Sequence, residues 1–137
     1  MRVQEAPPEH YGWLAERNHL WLPTDFRALE AVDENGAIRG MGGFMYWTPN
    51  SVQTTIYVDS PAALRALVRP FFSYPFEDCG RGVLLALVPS HSPVLLIAMR
   101  AGFAAVHRIA DGFQVGDDML LLEMRRENCR WLKKGAA

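Results

Sequence analysis

The side chains able to do chemistry are few and scattered along this 137-residue chain. The run Arg39-Gly-Met-Gly-Gly43 has the glycine density of a phosphate-binding loop, whose successive amide N–H groups cradle phosphoryl oxygens. Such loops join a strand to a helix, whereas here more apolar strand follows, so the glycines mark a bulge or a close approach of backbone. Cys79 and Cys129 lie far apart, with no Cys-x-x-Cys and no Cys/His ligand spacing. That pattern points to structural thiols and to no metal site. His91 stands alone in Ser90-His-Ser-Pro93, an imidazole that titrates near neutrality and serves either a structural or a chemical role. Tyr57 and Asp59 close a β-branched run, while Glu30 and Glu123 read as solvent-facing strand carboxylates. No catalytic constellation is complete, and His19 and His107 carry no signal.

Half of the residues are hydrophobic, enough for one core and too few residues for two, so residues 1–137 are read as one domain. Fourteen basic and fifteen acidic residues nearly balance. No global field therefore favours nucleic acid or an anionic membrane. The local excess of cations at Arg125, Arg126, Arg130, Lys133 and Lys134 reads as a solvated end. The first residues lack the apolar core of a signal peptide, and no apolar run reaches the roughly 20 residues of a spanning helix. A cytoplasmic, reducing setting is expected, with no membrane partner.

The elements that must position these groups follow from punctuation and period. Residues 2–6 form a short edge strand, and Pro7-Pro8 opens an amphipathic helix over residues 8–20. Residues 26–32 and 37–47 pair as a hairpin turned at Asn35-Gly36, and the β-branched residues 52–58 make a third antiparallel strand. Ser60-Pro61 caps the next helix. Pro70 and Pro75 should kink it or split it before Gly80, since an interior proline costs about 3 kcal/mol. The uninterrupted apolar run over residues 83–88 reads as a strand covered on both faces and paired in parallel. Ser92-Pro93 caps a helix that Gly102 ends. Residues 104–109 and 119–124 are two more strands joined by a loop over 111–118, and residues 127–132 form a last helical turn. Trp13, Trp21, Trp47 and Trp131 are expected in the core or an interface. The order is a mixed α+β domain with a central mixed sheet flanked by helices. The helix beginning at Pro93 is apolar nearly all round, so a cover is needed, and a homodimer partner is favoured over the chain's own C-terminal segment.

With Gly40 after the charged turn, Tyr74-Pro-Phe76 leading to Gly80, the segment from Val88 to Gly102-Phe103, and the tail Met124-Arg-Arg-Glu-Asn-Cys129-Arg-Trp, the chain resembles the GNAT superfamily of acyl-CoA-dependent N-acyltransferases. It looks closest to the small GNAT-like proteins of phages and prophages. The likeness covers nearly the whole chain and rests on the order of its motifs. It implies a GNAT-like fold whose middle strands splay apart, with the pantetheine arm of acetyl-CoA, the cosubstrate, lying in the gap.

The likeness also implies roles. Amides near Ile56, Tyr57 and Val58 would bind pantetheine and polarise the thioester carbonyl, a contribution worth about 3 kcal/mol per donor. The family's glycine-rich pyrophosphate loop is absent from Asp59-Ser-Pro-Ala-Ala-Leu-Arg65. In its place the amides of Ala62, Ala63 and Leu64 would meet the phosphates, with Arg65 and Arg69 as charge partners or as ordinary solvated residues. His91 falls where members commonly carry asparagine, beside the thioester, and Ala98 falls where many carry the tyrosine that acts as general acid. A base would come from Asp59, Glu30, Glu123 or His91, and Tyr57 is the nearest phenol. The implied function is direct N-acetyl transfer from acetyl-CoA to a small-molecule or protein amine. The alternatives are a GNAT-fold binding module without efficient catalysis, and a host-directed effector that the charge balance does not support.

Overall fold

Side-chain caps set the helix ends in the computed structural model, which describes residues 1–132. Helix α1 is Gly12–Asn18, α2 is Pro61–Ser73 and α3 is Pro93–Ala101. Ser60 Oγ accepts the Ala63 N–H at 3.1 Å and Ser92 Oγ accepts the Val94 N–H at 3.2 Å, with a proline after each cap. Gly102, at φ 117°, ends α3 in the left-handed region. The first helix is shorter than residues 8–20, because Pro8–His10 forms a separate 3-10 turn and His19 turns left-handed at φ 54°. Pro70 does not interrupt α2. Its lost backbone bond is offset by Phe71, Phe72 and Phe76, all buried, each worth about 1.5–3 kcal/mol. The change of pitch comes at Pro75, where Tyr74–Asp78 widens to a π-turn.

Seven strands, β1 (Arg2–Glu5), β2 (Arg27–Val32), β3 (Ile38–Met45), β4 (Ser51–Val58), β5 (Val83–Pro89), β6 (Ala104–Gln114) and β7 (Asp117–Arg125), form one mixed sheet. Their order is β1-β2-β3-β4-β5-β7-β6. The element order matches the mixed α/β expectation. Helices α2 and α3 pack on one face, where Leu67, Phe71 and Phe72 meet Leu84, Ala86, Val88 and Leu122, while Val94, Leu95 and Ala98 of α3 pack at the margin. Helix α1 lies on the other face, with Leu14 against Phe26, Ala28 and Met41.

The glycines of β3 mark close approach, and a bulge lies beside them: Ala31 and Val32 of β2 face Gly40 and Ile38, which leaves Arg39 as the extra residue on β3. A Cβ on Gly42 would sit 2.5 Å from the Phe71 ring, and one on Gly43 would sit 2.5 Å from the Phe26 ring. Adjacent strand residues face opposite ways. The pair therefore thins β3 on both faces, so that aromatic side chains from each layer reach the strand.

Four expectations need correction. The β5 run is covered on one face only: Leu84, Ala86 and Val88 are buried, but Leu87 is 40% exposed. It pairs in parallel with β4 for three residues and antiparallel with β7 along its length. The loop expected over residues 111–118 is largely strand, because β6 and β7 run on to a tight turn at Gly116, φ 89°. There the Asp118 carboxylate accepts the Asp111 N–H and pairs with Arg108, which together hold its pKa below the usual range. Glu30 is fully buried, not solvent-facing. Gln4 Nε2 donates to its Oε2 at 2.8 Å, and its Oε1 lies 2.8 Å from His10 Nδ1. Trp21 is 95% exposed and so is not in the core.

The basic tail is tied down within the described residues. Arg126 donates to the Phe76 carbonyl at 2.8 Å, Arg130 donates to the Arg100 carbonyl, and Arg125 pairs with Glu123. Lys133 and Lys134 lie outside the described residues. Trp131 Nε1 donates to the Ala101 carbonyl at 2.8 Å, and its ring stacks on Phe72. The chain's own C-terminal segment thus covers the end of α3, leaving Leu96 and Met99 exposed. The final helical turn is a 3-10 turn, Arg126–Asn128.

Gly42→Val is expected to lower stability by about 1–3 kcal/mol, the usual cost of overpacking, seen as a lower urea midpoint with an unchanged slope; a parental midpoint would contradict the close approach of Phe71. His10→Ala strands a buried carboxylate and is expected to cost about 1–3 kcal/mol. Adding Glu30→Leu should recover much of that loss in the same denaturation experiment, because it removes the uncompensated group.

Candidate active site

The backbone of β4 builds the site. It pairs with β3 from Gly40↔Val58 to Met45↔Gln53, and the Asp59 N–H continues that ladder to the Arg39 carbonyl at 3.0 Å. Backbone groups alternate in direction along an antiparallel strand, so Gln53, Thr55 and Tyr57 point to β3 while Thr54, Ile56 and Val58 point to β5. Strand β5 meets only Ser51–Gln53, through Val83–Leu85, and its later residues pair with β7. Past Gln53 the two strands part. The N–H groups of Ile56 and Val58 face this gap, where no strand among the described residues pairs with them. Asn18, at the end of α1, donates Nδ2 to Thr55 Oγ1 at 2.8 Å and to the Ile56 carbonyl at 3.2 Å. It thereby satisfies an acceptor on that edge and leaves the donors.

Side chains flank the open end of the gap. Tyr57 projects on the α1 face, where Trp13 meets it edge-on at 5.8 Å between ring centroids. Arg17 lies 3.9 Å over the Trp13 ring and donates to the Trp13 carbonyl at 2.8 Å. Across the gap, just beyond β5, His91 is half exposed, with Nδ1 3.7 Å from Asp117 Oδ1 and its ring 5.4 Å from Phe113. The Ser90 N–H donates to the Asp118 carbonyl at 2.9 Å, which fastens this segment to the base of β7. His91 and Asp117 form an imidazole–carboxylate pair on the β6–β7 side of β5, and the Asp117 carboxylate also accepts from Gln114 Nε2.

The other sequence-predicted residues separate from this group. The Asp59 carboxylate is held by Arg39 Nε at 2.9 and 3.0 Å, and Arg39 also reaches Asp33. Those contacts place Asp59 with the β2–β3 turn, where the Ala37 and Asn35 N–H groups and Arg39 keep the Asp33 carboxyl below its usual pKa. At the start of α2, Ser60 Oγ takes the Ala63 N–H and the Ser60 carbonyl takes the Leu64 N–H at 3.2 Å. The Ala62 N–H has no protein partner among the described residues. Arg65 is exposed beside it, whereas Arg69 donates to the Trp131 carbonyl at 3.3 Å and lies 5.9 Å over that ring. Ala98 packs against the core and offers no polar atom. Glu123 pairs with Arg125 at 2.9 Å.

Asn18, Asp117, Trp13 and Arg17 are the residues that sequence reasoning missed. Asn18 carries no local signal beyond its position before a helix end, and Asp117 was hidden by reading residues 111–118 as loop. A separate cleft of about 410 Å³ lies at the closed end of the sheet, lined by Asp25, Arg27, Trp47, Cys79 and Arg81 among others. Its groups have partners: Asp25 accepts the Tyr46 and Trp47 N–H groups, Arg81 donates to the Thr48 and Cys79 carbonyls, and Arg27 lies 5.6 Å over the Trp47 ring. Among the described residues no metal-binding cluster is present and no helix is long and apolar enough to cross a membrane.

No protein-family model and no curated protein sequence matches the chain. Solved structures do. A single-residue variant of the spermidine N-acetyltransferase SpeG from Vibrio cholerae superposes with a TM-score of 0.76 at 11% identity, covering 97% of this chain and 96% of that one. Glutamate-to-glutamine variants of the spermidine/spermine N-acetyltransferase SpeG from the same organism give 0.76 at 11% identity, over 92% and 95%. A dodecameric structure of the Vibrio cholerae enzyme gives 0.67 at 14% identity, over 93% and 77%. Identities this low carry the architecture alone, and on that architecture, with its parted β4 and β5, the chain has the GNAT acetyltransferase fold.

Proposed function

We propose that the protein is an acetyl-CoA-dependent N-acetyltransferase that moves the acetyl group directly to an amine. The observation that carries this reading is the gap beyond Gln53 and Leu85, into which the Ile56 and Val58 N–H groups point with no strand of the described residues to take them. An extended, amide-bearing pantetheine arm fits such an edge as a missing strand would. The same donors suit a carbonyl oxygen that gains negative charge as the amine attacks. The amine must lose a proton, and we assign its removal, direct or through water, to His91, whose Nδ1 lies 3.7 Å from Asp117 Oδ1. The Tyr57 hydroxyl, on the opposite rim, is the proton donor assigned to the departing thiolate.

The grip on phosphate is reduced, since the Ser60 hydroxyl takes the Ala63 N–H. Ala62 and Arg65 remain for it. That same observation favours a second reading, a GNAT-fold binding module in which acyl transfer has lapsed.

Titration calorimetry with acetyl-CoA separates the two. Binding that weakens several-fold in Arg65→Ala, with turnover falling more than tenfold in His91→Ala and less in Asp117→Asn, is expected of the enzyme. Absence of heat and of any thermal shift at high protein concentration would leave the module. We also propose a homodimer that covers Leu96 and Met99 of α3, both exposed. Sedimentation is expected to show dimer, and to shift toward monomer in Leu96→Glu; monomer alone in the parent protein would overturn this assembly.

A further inference from the structure

The face of the sheet that bears α1 is covered over only half its width. Helix α1 stands on β3 and β4, while α2 and α3 pack on the opposite face. Because Gln53 and Leu85 are paired neighbours, they share this face, and so do Thr55 and Tyr57 of β4 with Leu87 of β5. Register carries the face onward: Leu121 lies beside Leu87, Met119 beside Pro89, and Ile109 beside Met119. No helix of the described residues lies over them, and Leu87 and Ile109 are 40% and 36% exposed. The result is a step with a largely apolar floor, on which His107 lies beside Leu121, and a wall formed by Trp13 and Arg17. Its inner edge is the gap between β4 and β5.

Charge decides what such a step accepts. The carboxylates on the floor's face are Glu123, already paired with Arg125, and Asp117, beside His91. On the wall, Arg17 lies over Trp13 and 5.9 Å from the Tyr57 ring, and makes no salt bridge among the described residues. Glu16, its neighbour on α1, is exposed to water. A cation drawn from water onto this floor loses hydration and gains no free carboxylate there, while it meets a guanidinium at the rim. An uncharged aromatic or branched body loses nothing comparable and gains the burial of its apolar surface. We infer that the acceptor is a primary amine on an aromatic or branched apolar body with no second positive charge, and not a polyamine. This inference rests on the acyl-transfer reading, and it parts the chain from the spermidine acetyltransferases whose architecture it shares.

The test measures CoA release with 2-phenylethylamine and with spermidine, alongside calorimetric titration of acetyl-CoA on the same protein. The expected result is acetyl-CoA binding with kcat/KM at least tenfold higher for 2-phenylethylamine. Leu87→Asp should lower that value, and Arg17→Glu should raise spermidine use and so narrow the ratio, a readout that a purely structural Arg17 would not move. Acetyl-CoA binding with spermidine used equally well or better would overturn the inference and leave the acyl-transfer reading standing. Binding with neither amine acetylated would also overturn it. No binding of acetyl-CoA at all would remove the acyl-transfer reading and the inference together.

Discussion

Three residues on each of two strands hold the halves of this sheet together. Ser51–Gln53 and Val83–Leu85 are the whole of the β4–β5 pairing, and the chain braces that short seam from outside. The Asn50 carbonyl accepts both the Gly82 and Val83 N–H groups at 3.1 Å, the Arg126 N–H returns to the Gly82 carbonyl, and Arg81 reaches the Thr48 carbonyl. A Cβ on Gly82 would lie 2.7 Å from Asn50 Oδ1, the end of an exposed side chain that would have to turn aside. Beyond the seam each strand belongs to its outer neighbour, β4 to β3 and β5 to β7. The gap is therefore a property of backbone pairing. It persists through side-chain changes that leave the seam and the two outer ladders intact.

The helical layers are what let the two halves separate without exposing their core. Phe71 lies against Phe44 and Phe72, and Phe72 reaches Phe103 and Trp131, so one aromatic chain runs from β3 under α2 to the C-terminal tail. It crosses beneath the gap on the face away from α1. Gly42 admits Phe71 to β3, and without that close approach the ring would be displaced into its neighbours. On the opposite face there is no equivalent bridge. Packing closes one side of the split sheet and leaves the other open, which is why the gap is approached from the α1 side.

Features governed by local chemistry were legible in the sequence. Ser60-Pro61, Ser92-Pro93, Gly102 and the turn at Gly36 act within a few residues of themselves, and each falls where its side chain or conformational freedom requires. Features set by distant partners were not. The apolar run of β5 looks doubly covered because leucine and valine occupy both faces, yet nothing in the run records that one face lacks a helix. Glu30 alternates as a surface residue would, and only the fold brings His10 and Gln4 over it. The tail arginines resemble a solvated run because their acceptors are backbone carbonyls of other elements, which have no sequence signature. His91 was legible as a lone imidazole, whereas its partner Asp117 depends on β6 and β7 extending to Gly116.

The start of α2 shows how stability and ligand affinity compete for the same groups. A helix leaves its first N–H groups without internal partners, which is what makes that end attractive to phosphate. Here Ser60 supplies its hydroxyl to Ala63 and its carbonyl to Leu64. An N-cap of this kind is worth about 1 kcal/mol to the helix, but it withdraws the Ala63 N–H, a donor that an uncapped helix end would have left for a ligand. Gly40 draws the same helix end close, since a Cβ there would meet Val58 at 2.9 Å and Ala63 at 3.4 Å. The capped end is thus fixed directly beside the last residue of β4, and any ligand must take most of its hold from the strand edge instead. In the proposed acyl-transfer reading, recognition would then rest on Ile56 and Val58, whose N–H groups are the donors that the fold leaves facing the gap.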